Sequence, residues 1–326
     1  MTPPLGFDMH ATGPDYPITA SGYTATISGV GGALRTLHHN NIALVDAYPT
    51  DSPRPAYHGS PLAPWPNRLA NGSYEFNGVT QQTPITEPAF NTALHGLVCW
   101  IEWAPVQHTE DSVTLETLIH PQPGYPHRLR VSTSYSLSPD GLTWTLTARN
   151  EGQGDAPVGL GFHPYLCPPA PDSAADSLAP AGPTVDNAST ADSWSLRVPA
   201  DSVLEANERN LPVAWRPAAE LGFDLRNDTP LAGMRIDHCF GDLNSSDSEA
   251  HVELRGPGGS VHMRWNTESA PWVQVFTSDL PDSDHYRTGV AIEPMTCPPD
   301  AFNSGVGLVT LSPNEELTAS LRISIS

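Results

Sequence analysis

The chain of 326 residues carries a formal charge of −21, and all 15 of its basic residues are arginine. A surface that acidic repels the phosphates of nucleic acids and anionic lipids, so neither is expected as a partner. The lack of lysine removes Schiff-base and pyridoxal chemistry and any P-loop, which leaves acid–base work to Asp, Glu, His, Tyr and Cys.

Taken in chain order, the elements are strands. Residues 23–28, 112–118, 128–137 and 142–147 alternate apolar with small polar side chains, the period of a half-buried strand. Pro139-Asp140-Gly141 supplies a hairpin turn between the last two. Residues 168–201, rich in Ala, Pro, Ser and Asp, read as a long surface excursion with a short strand near 194–198. Further strands follow at 252–255, 261–265, 272–277 and 317–325. The 35 prolines and 26 glycines, spread throughout, argue against long helices. An all-β antiparallel β-sandwich is expected, as one domain over residues 1–326.

No stretch approaches the 18 apolar residues of a membrane span. Met1 to Pro14 lacks the basic and apolar regions of a signal peptide. Cys99, Cys167, Cys239 and Cys297 lie far apart, so reduced thiols and a cytoplasmic location are expected. The Asn-x-Ser/Thr triplets at Asn71, Asn187, Asn227 and Asn244 then carry no glycosylation signal.

Several segments set polar, titratable residues into apolar or glycine-rich surroundings: Pro66-Asn67-Arg68-Leu69, Leu94-His95-Gly96, Gly161-Phe162-His163-Pro164-Tyr165, Ile236-Asp237-His238, Trp272-Val273-Gln274-Val275 and Ile292-Glu293-Pro294. Each has a plain structural reading alone. A histidine on a strand is more often a bonded core residue than a catalyst, and Arg68 reads as a salt bridge fixing its loop. Glu293 is the most telling, because a carboxylate between apolar neighbours is costly to bury unless paired. His238, next to Asp237 on a strand, should face the other way. Trp65, Trp100, Trp103 and Tyr165 suit core packing better than stacking on a ligand, for most of them.

Taken together and in this order, these motifs resemble those of the aldose 1-epimerases. Asn67-Arg68-Leu-Ala-Asn-Gly72 with Tyr74-Glu-Phe76, Leu94-His95-Gly96 with Trp103, and Pro299-Asp300-Ala-Phe-Asn303 after Glu293 extend the likeness from about residue 20 to the C-terminus. The resemblance implies a large β-sandwich of the galactose mutarotase type. It implies Glu293 as general base on the anomeric hydroxyl, His163 as general acid on the ring oxygen, and Arg68, His95, Asp237 and Gln274 as holders of the sugar hydroxyls. It also implies a small-molecule sugar as the partner, in a monomer or homodimer. Phe162-His163-Pro164-Tyr165-Leu166 stands where galactose mutarotases have Asn-His-Ser/Thr-Tyr-Phe, which resembles a divergent bacterial branch. Pro313-Asn314-Glu315 likewise replaces a Pro-Gly-Glu.

The chemistry agrees with the residue types. Mutarotation opens a hemiacetal, lets C1–C2 rotate and closes on the other face, and a carboxylate with a histidine can move both protons. No cofactor and no metal is expected, because no His-x-His or clustered ligand spacing is visible. Three rivals stay open: a catalytically inert sugar-binding protein on the same scaffold, a metal-dependent β-sandwich enzyme, and a hexose-6-phosphate epimerase. Arg68 is the only arginine in a site motif, which favours neutral hexoses. Arg35, Arg54 or Arg287 folding toward the pocket would reverse that preference.

Overall fold

Alternation along the chain becomes two large antiparallel sheets in the computed structural model, which describes residues 10–170, 190–245, 247–280 and 283–326. Among these residues a nine-stranded sheet runs in the order Ala104–His108, Ser112–Ile119, Leu129–Ser138, Gly141–Asn150, Glu316–Ile325, Gly259–Asn266, Glu249–Gly256, Ser195–Arg197 and Thr229–Pro230. Its inner face follows from the period-2 pattern. Leu129, Val131, Thr133, Tyr135 and Leu137 turn inward from one strand, and Leu142, Trp144, Leu146 and Ala148 from the next. Trp144 is buried, donates its indole N–H to Thr133 Oγ1 at 2.8 Å and meets the Phe162 ring edge-on at 5.0 Å. That contact joins the nine-stranded sheet to the second one.

The second sheet runs Pro212–Pro217, Ala200–Ala206, Asp237–Leu243, Trp272–Phe276, Val290–Met295, Gly161–His163 and Ser60–Leu62, with Tyr165–Leu166 also paired to Val290–Met295. A further sheet of Asp15–Ala20, Tyr23–Ser28, Ala33–His39 and Ile42–Ala43 packs its Ile18, Ile27 and Leu37 into the same core. The all-β sandwich expected from the sequence is the fold observed. The expected strand near 194–198 is Ser195–Arg197. Residues 171–189 of the proposed surface excursion and residues 1–9 lie outside the described residues.

A small separate sheet pairs Arg68–Ala70 with Thr92–Leu94, in which Arg68 faces Leu94. The short helix Ala301–Ser304 braces it. Asp300 donates its backbone N–H to the Arg68 carbonyl at 2.8 Å and accepts the Ala70 N–H on Oδ1 at 2.9 Å. The turn at the end of this small sheet leaves no room for a larger residue. Gly96 has φ +74, and a Cβ there would stand 2.1 Å from the Ala63 carbonyl oxygen. Gly96→Ala is therefore expected to destabilise the protein by at least ~1–3 kcal/mol, the usual size of a forced left-handed residue. Urea unfolding measures this, and a change within about 0.5 kcal/mol of wild type, the range of neutral surface changes, would show that the turn yields.

Candidate active site

Strand parity decides which side chains meet. Gln274 is the register partner of Glu293 and Cys239 that of Gln274, so these three share a face of the second sheet, with Asp237 two residues from Cys239. Gly161 pairs with Met295, which puts His163 on that face as well. The alternate residues Val273, Val275, Phe240, Ile292 and Phe162 point into the sandwich core. His238, on the alternate set, packs its ring on Phe223 at 4.3 Å, as its parity required. Arg68 and His95 arrive from the small sheet and its turn.

The six residues singled out in the sequence converge here. His163 Nε2 lies 3.3 Å from Glu293 Oε1, with both side chains almost fully buried. The His95 and His163 rings meet edge to face at 4.9 Å. Gln274 Nε2 donates to Asp237 Oδ1 at 2.7 Å, and Arg68 Nη2 reaches Asp237 Oδ2 at 3.5 Å. Among the described residues, Glu293 Oε2, His163 Nδ1 and Gln274 Oε1 are buried without a hydrogen bond to another protein group. Buried polar atoms are rarely left so, and three around one spot mark a place built for a polar ligand.

The electrostatics of the pair follow from dryness. Burial holds Glu293 well above the usual carboxylate range, and the neighbouring Asp237 charge adds to this while Arg68 opposes it. Burial pushes His163 down to about 3, with the His58 and Arg54 charges acting in the same sense. Burial thus disfavours the charged form of both groups in the ligand-free site. His95 is also held neutral by burial and by the charges of His163 and Arg68. Its Nδ1 accepts the Asn67 backbone N–H at 3.1 Å, so the ring carries its proton on Nε2, as a donor.

Arg68, whose plain reading from the sequence was a salt bridge fixing its loop, forms a fork with Glu87, Nε to Oε2 at 2.8 Å and Nη2 to Oε1 at 3.0 Å, and lies over the Phe90 ring at 5.2 Å. Its positive charge favours the ionised form of Glu293. Glu87 and Asn210, whose Nδ2 donates to Asp237 Oδ2 at 2.9 Å, are site residues the sequence reading missed. Glu87 sits in Thr86-Glu87-Pro88, the same Glu-Pro context as Glu293, and that was the available signal. Asn210 lies in an ordinary polar turn. Trp65, Trp103 and Tyr165 are buried, as packing residues should be, whereas Trp100 is half exposed and stands against Tyr57 at 5.4 Å.

Among the described residues, two groups of side chains bring metal-ligating atoms within 4.8 Å of one another: His95, His163 and Glu293, and, separately, Asp46, His58 and His285. Neither shows in sequence spacing, because each is assembled from distant segments.

The sandwich carries a buried carboxyl–imidazole pair on one face of its second sheet. The profile of the aldose 1-epimerase family matches residues 14–324, and the chain belongs to that family. The uncharacterized Escherichia coli K12 protein YihR is 32% identical over 305 residues, 93% of this chain and 91% of YihR. By structure, the chain is similar to a GalM/aldose epimerase homologue from C. elegans, with TM-score 0.81, 20% identity and coverage of 96% of this chain and 98% of that one. It is likewise similar to a putative aldose 1-epimerase from E. coli K12, with TM-score 0.77, 23% identity and coverage of 96% and 99%.

The proton inventory of the site can be read directly. His163 is expected to show no ring titration between about pH 5 and 7.5, where an unperturbed imidazole of pKa ~6.5 changes charge, because its protonation is displaced to lower pH. Histidine NMR against His163→Asn assigns the resonance. A midpoint near 6.5 would mean that the pocket is wet.

Proposed function

We propose that this chain is an aldose 1-epimerase acting on free, neutral hexoses, with Glu293 as general base, His163 as general acid, and Arg68, His95, Asp237 and Gln274 holding the sugar hydroxyls, in one domain over residues 1–326. The observation that carries the reading is the buried 3.3 Å contact of His163 with Glu293, whose remaining polar atoms have no protein partner.

The one proton of the pair suffices for the cycle. A bound sugar brings hydroxyls to Glu293 Oε2 and His163 Nδ1, replacing the hydration each lost on burial. The charged tautomer, carboxylate with imidazolium, then becomes accessible without any proton entering from outside. Glu293 takes the O1 proton as His163 gives one to O5, and the C1–O5 bond breaks to the open aldehyde. The pair is left as carboxylic acid and neutral imidazole, the state dryness favours. After rotation about C1–C2 the same two protons return as the ring closes on the other face, so the catalyst is restored. His95, a neutral donor at Nε2, and the Asp237–Gln274–Arg68 set fix the hydroxyls while this happens.

Glu293→Gln keeps the shape and removes the acceptor. It is expected to lower kcat by at least ~100-fold while leaving sugar affinity within a few-fold, since general-base help is worth roughly 10²–10⁴. Polarimetry of freshly dissolved α-D-glucose and α-D-galactose reads the rate. A Gln variant with more than about a tenth of wild-type kcat would remove Glu293 from the reaction.

The charge around the pocket supports a neutral substrate. Arg68 is already forked by Glu87 and faces Asp237, so its cation is spent on carboxylates. Arg35 pairs with Asp15, and Arg287 with Asp279 and Asp192. Arg54 donates to the carbonyls of Val30 and Cys99 and lies on Trp100. A phosphate dianion wants converging free donors. D-Glucose is therefore expected to exceed D-glucose 6-phosphate in kcat/KM by tenfold or more. A preference for the phosphate that shrinks with added salt would require a cation cluster at the mouth.

A further inference from the structure

Behind the catalytic histidine lies a second constellation. Asp46 follows the Ile42–Ala43 strand, and its backbone N–H is held by the Tyr165 carbonyl at 2.9 Å. Around its side chain, His58 Nε2, His285 Nδ1 and Thr288 Oγ1 stand 3.1, 2.8 and 2.8 Å from the one oxygen Oδ2. His58 is only 1% exposed, and its ring lies flat on Tyr165, with centroids 3.6 Å apart and planes 6° apart.

The hydrogen bonding of His58 is the informative part. Its Nδ1 is 2.8 Å from the Pro55 carbonyl oxygen, which can only accept, so the ring must donate there. In a neutral imidazole that leaves a lone pair on Nε2, aimed at a carboxylate oxygen 3.1 Å away. Two lone pairs do not hold that separation unprovoked in a dry site. Something positive belongs between them, either a second ring proton or a cation.

We propose that Asp46, His58 and His285 form a structural metal site of N₂O type, fitted to Zn²⁺, with Thr288 beside it. Two imidazoles and a carboxylate are a borderline-soft donor set that suits zinc, cobalt or nickel over magnesium or calcium. A ligand histidine whose other nitrogen donates to a backbone carbonyl is the usual supporting arrangement, because it fixes tautomer and ring angle. Ligands about 2.0–2.2 Å from a tetrahedral zinc lie ~3.3–3.5 Å apart. The present separations of 2.8 and 3.1 Å open to that range with shifts of a few tenths of an ångström. Asp46 and His285 are partly exposed, at 15% and 20% of their side chains, which provides an entry path and room for water as a further ligand. The ion ties three distant loops to Tyr165, whose ring also lies against His163 at 5.2 Å and 25°, so it braces the stack that orients the catalytic imidazole.

The test uses the untagged full chain, stripped with a chelator and titrated with Zn²⁺ by calorimetry and with Co²⁺ by absorption. The expected result is one tightly bound ion per chain, a raised Tm with Zn²⁺ but not with Mg²⁺, and Co²⁺ bands free of a thiolate charge-transfer band. His285→Asn and His58→Gln should each weaken binding by at least ~100-fold, the upper end of what even supporting contacts contribute. His95→Asn should leave it unchanged. His285 is the more exposed of the pair, so His285→Asn separates ligand loss from misfolding, checked by an unaltered metal-free Tm. Millimolar or absent binding overturns the proposal and leaves His58 as an imidazolium. Binding that survives both variants, or that is lost in His95→Asn, overturns it by placing the ion elsewhere.

Discussion

Glu293 and His163 meet at 3.3 Å in a pocket where neither is easily charged, and the site is arranged around that contact. A carboxyl and an imidazole in water would separate into ions and stay so. Buried to a few per cent exposure they are held toward neutrality instead, and Asp237 and His58 push each further the same way. In the proposed cycle, the energy to make the reactive ion pair comes from the hydroxyls of the bound sugar.

The pair can be dry only because the sheet beneath it is rigid. Glu293 lies on Val290–Met295, a strand buried throughout, flanked by Trp272–Phe276 and Gly161–His163. Phe162, on the core side of the same short strand as His163, meets Trp144 of the facing sheet. A slip of one residue in any of these strands would turn a site residue into the core and a core residue into the pocket. The cost of burying a carboxylate and an imidazole unpaired makes that slip prohibitive, so the site helps to specify the register as well as depending on it.

Arg68 links this sheet to the cover above it. Its fork with Glu87 fixes the small sheet, and its approach to Asp237 brings that sheet over the substrate face. Asp237 in turn collects Gln274 and Asn210. The Arg68 charge is balanced locally by two carboxylates, with Glu293 near by. In the proposed reading, that balance bears on which sugar is accepted more strongly than the chain's overall acidity, which acts only at long range and is screened by salt.

Much of this was legible before any coordinates. The strands at 23–28, 112–118, 128–137 and 142–147 could be read because half-buried strands alternate, and alternation is a local property of the chain. The six candidate residues that meet at one sheet face could be singled out because each sits in a short motif whose order along the chain resembles a family. His238 could be set aside by parity alone. Glu87, Asn210 and the trio of Asp46, His58 and His285 could not be found that way. Their roles are defined by partners far away in the chain, and a carboxylate in a loop looks the same whether it faces solvent or a guanidinium. The tertiary structure alone decided that Arg68 is held by Glu87 and that a carboxylate and an imidazole on paired sheet strands come within 3.3 Å. Contact and dryness are produced by packing, and packing is not a local property of sequence.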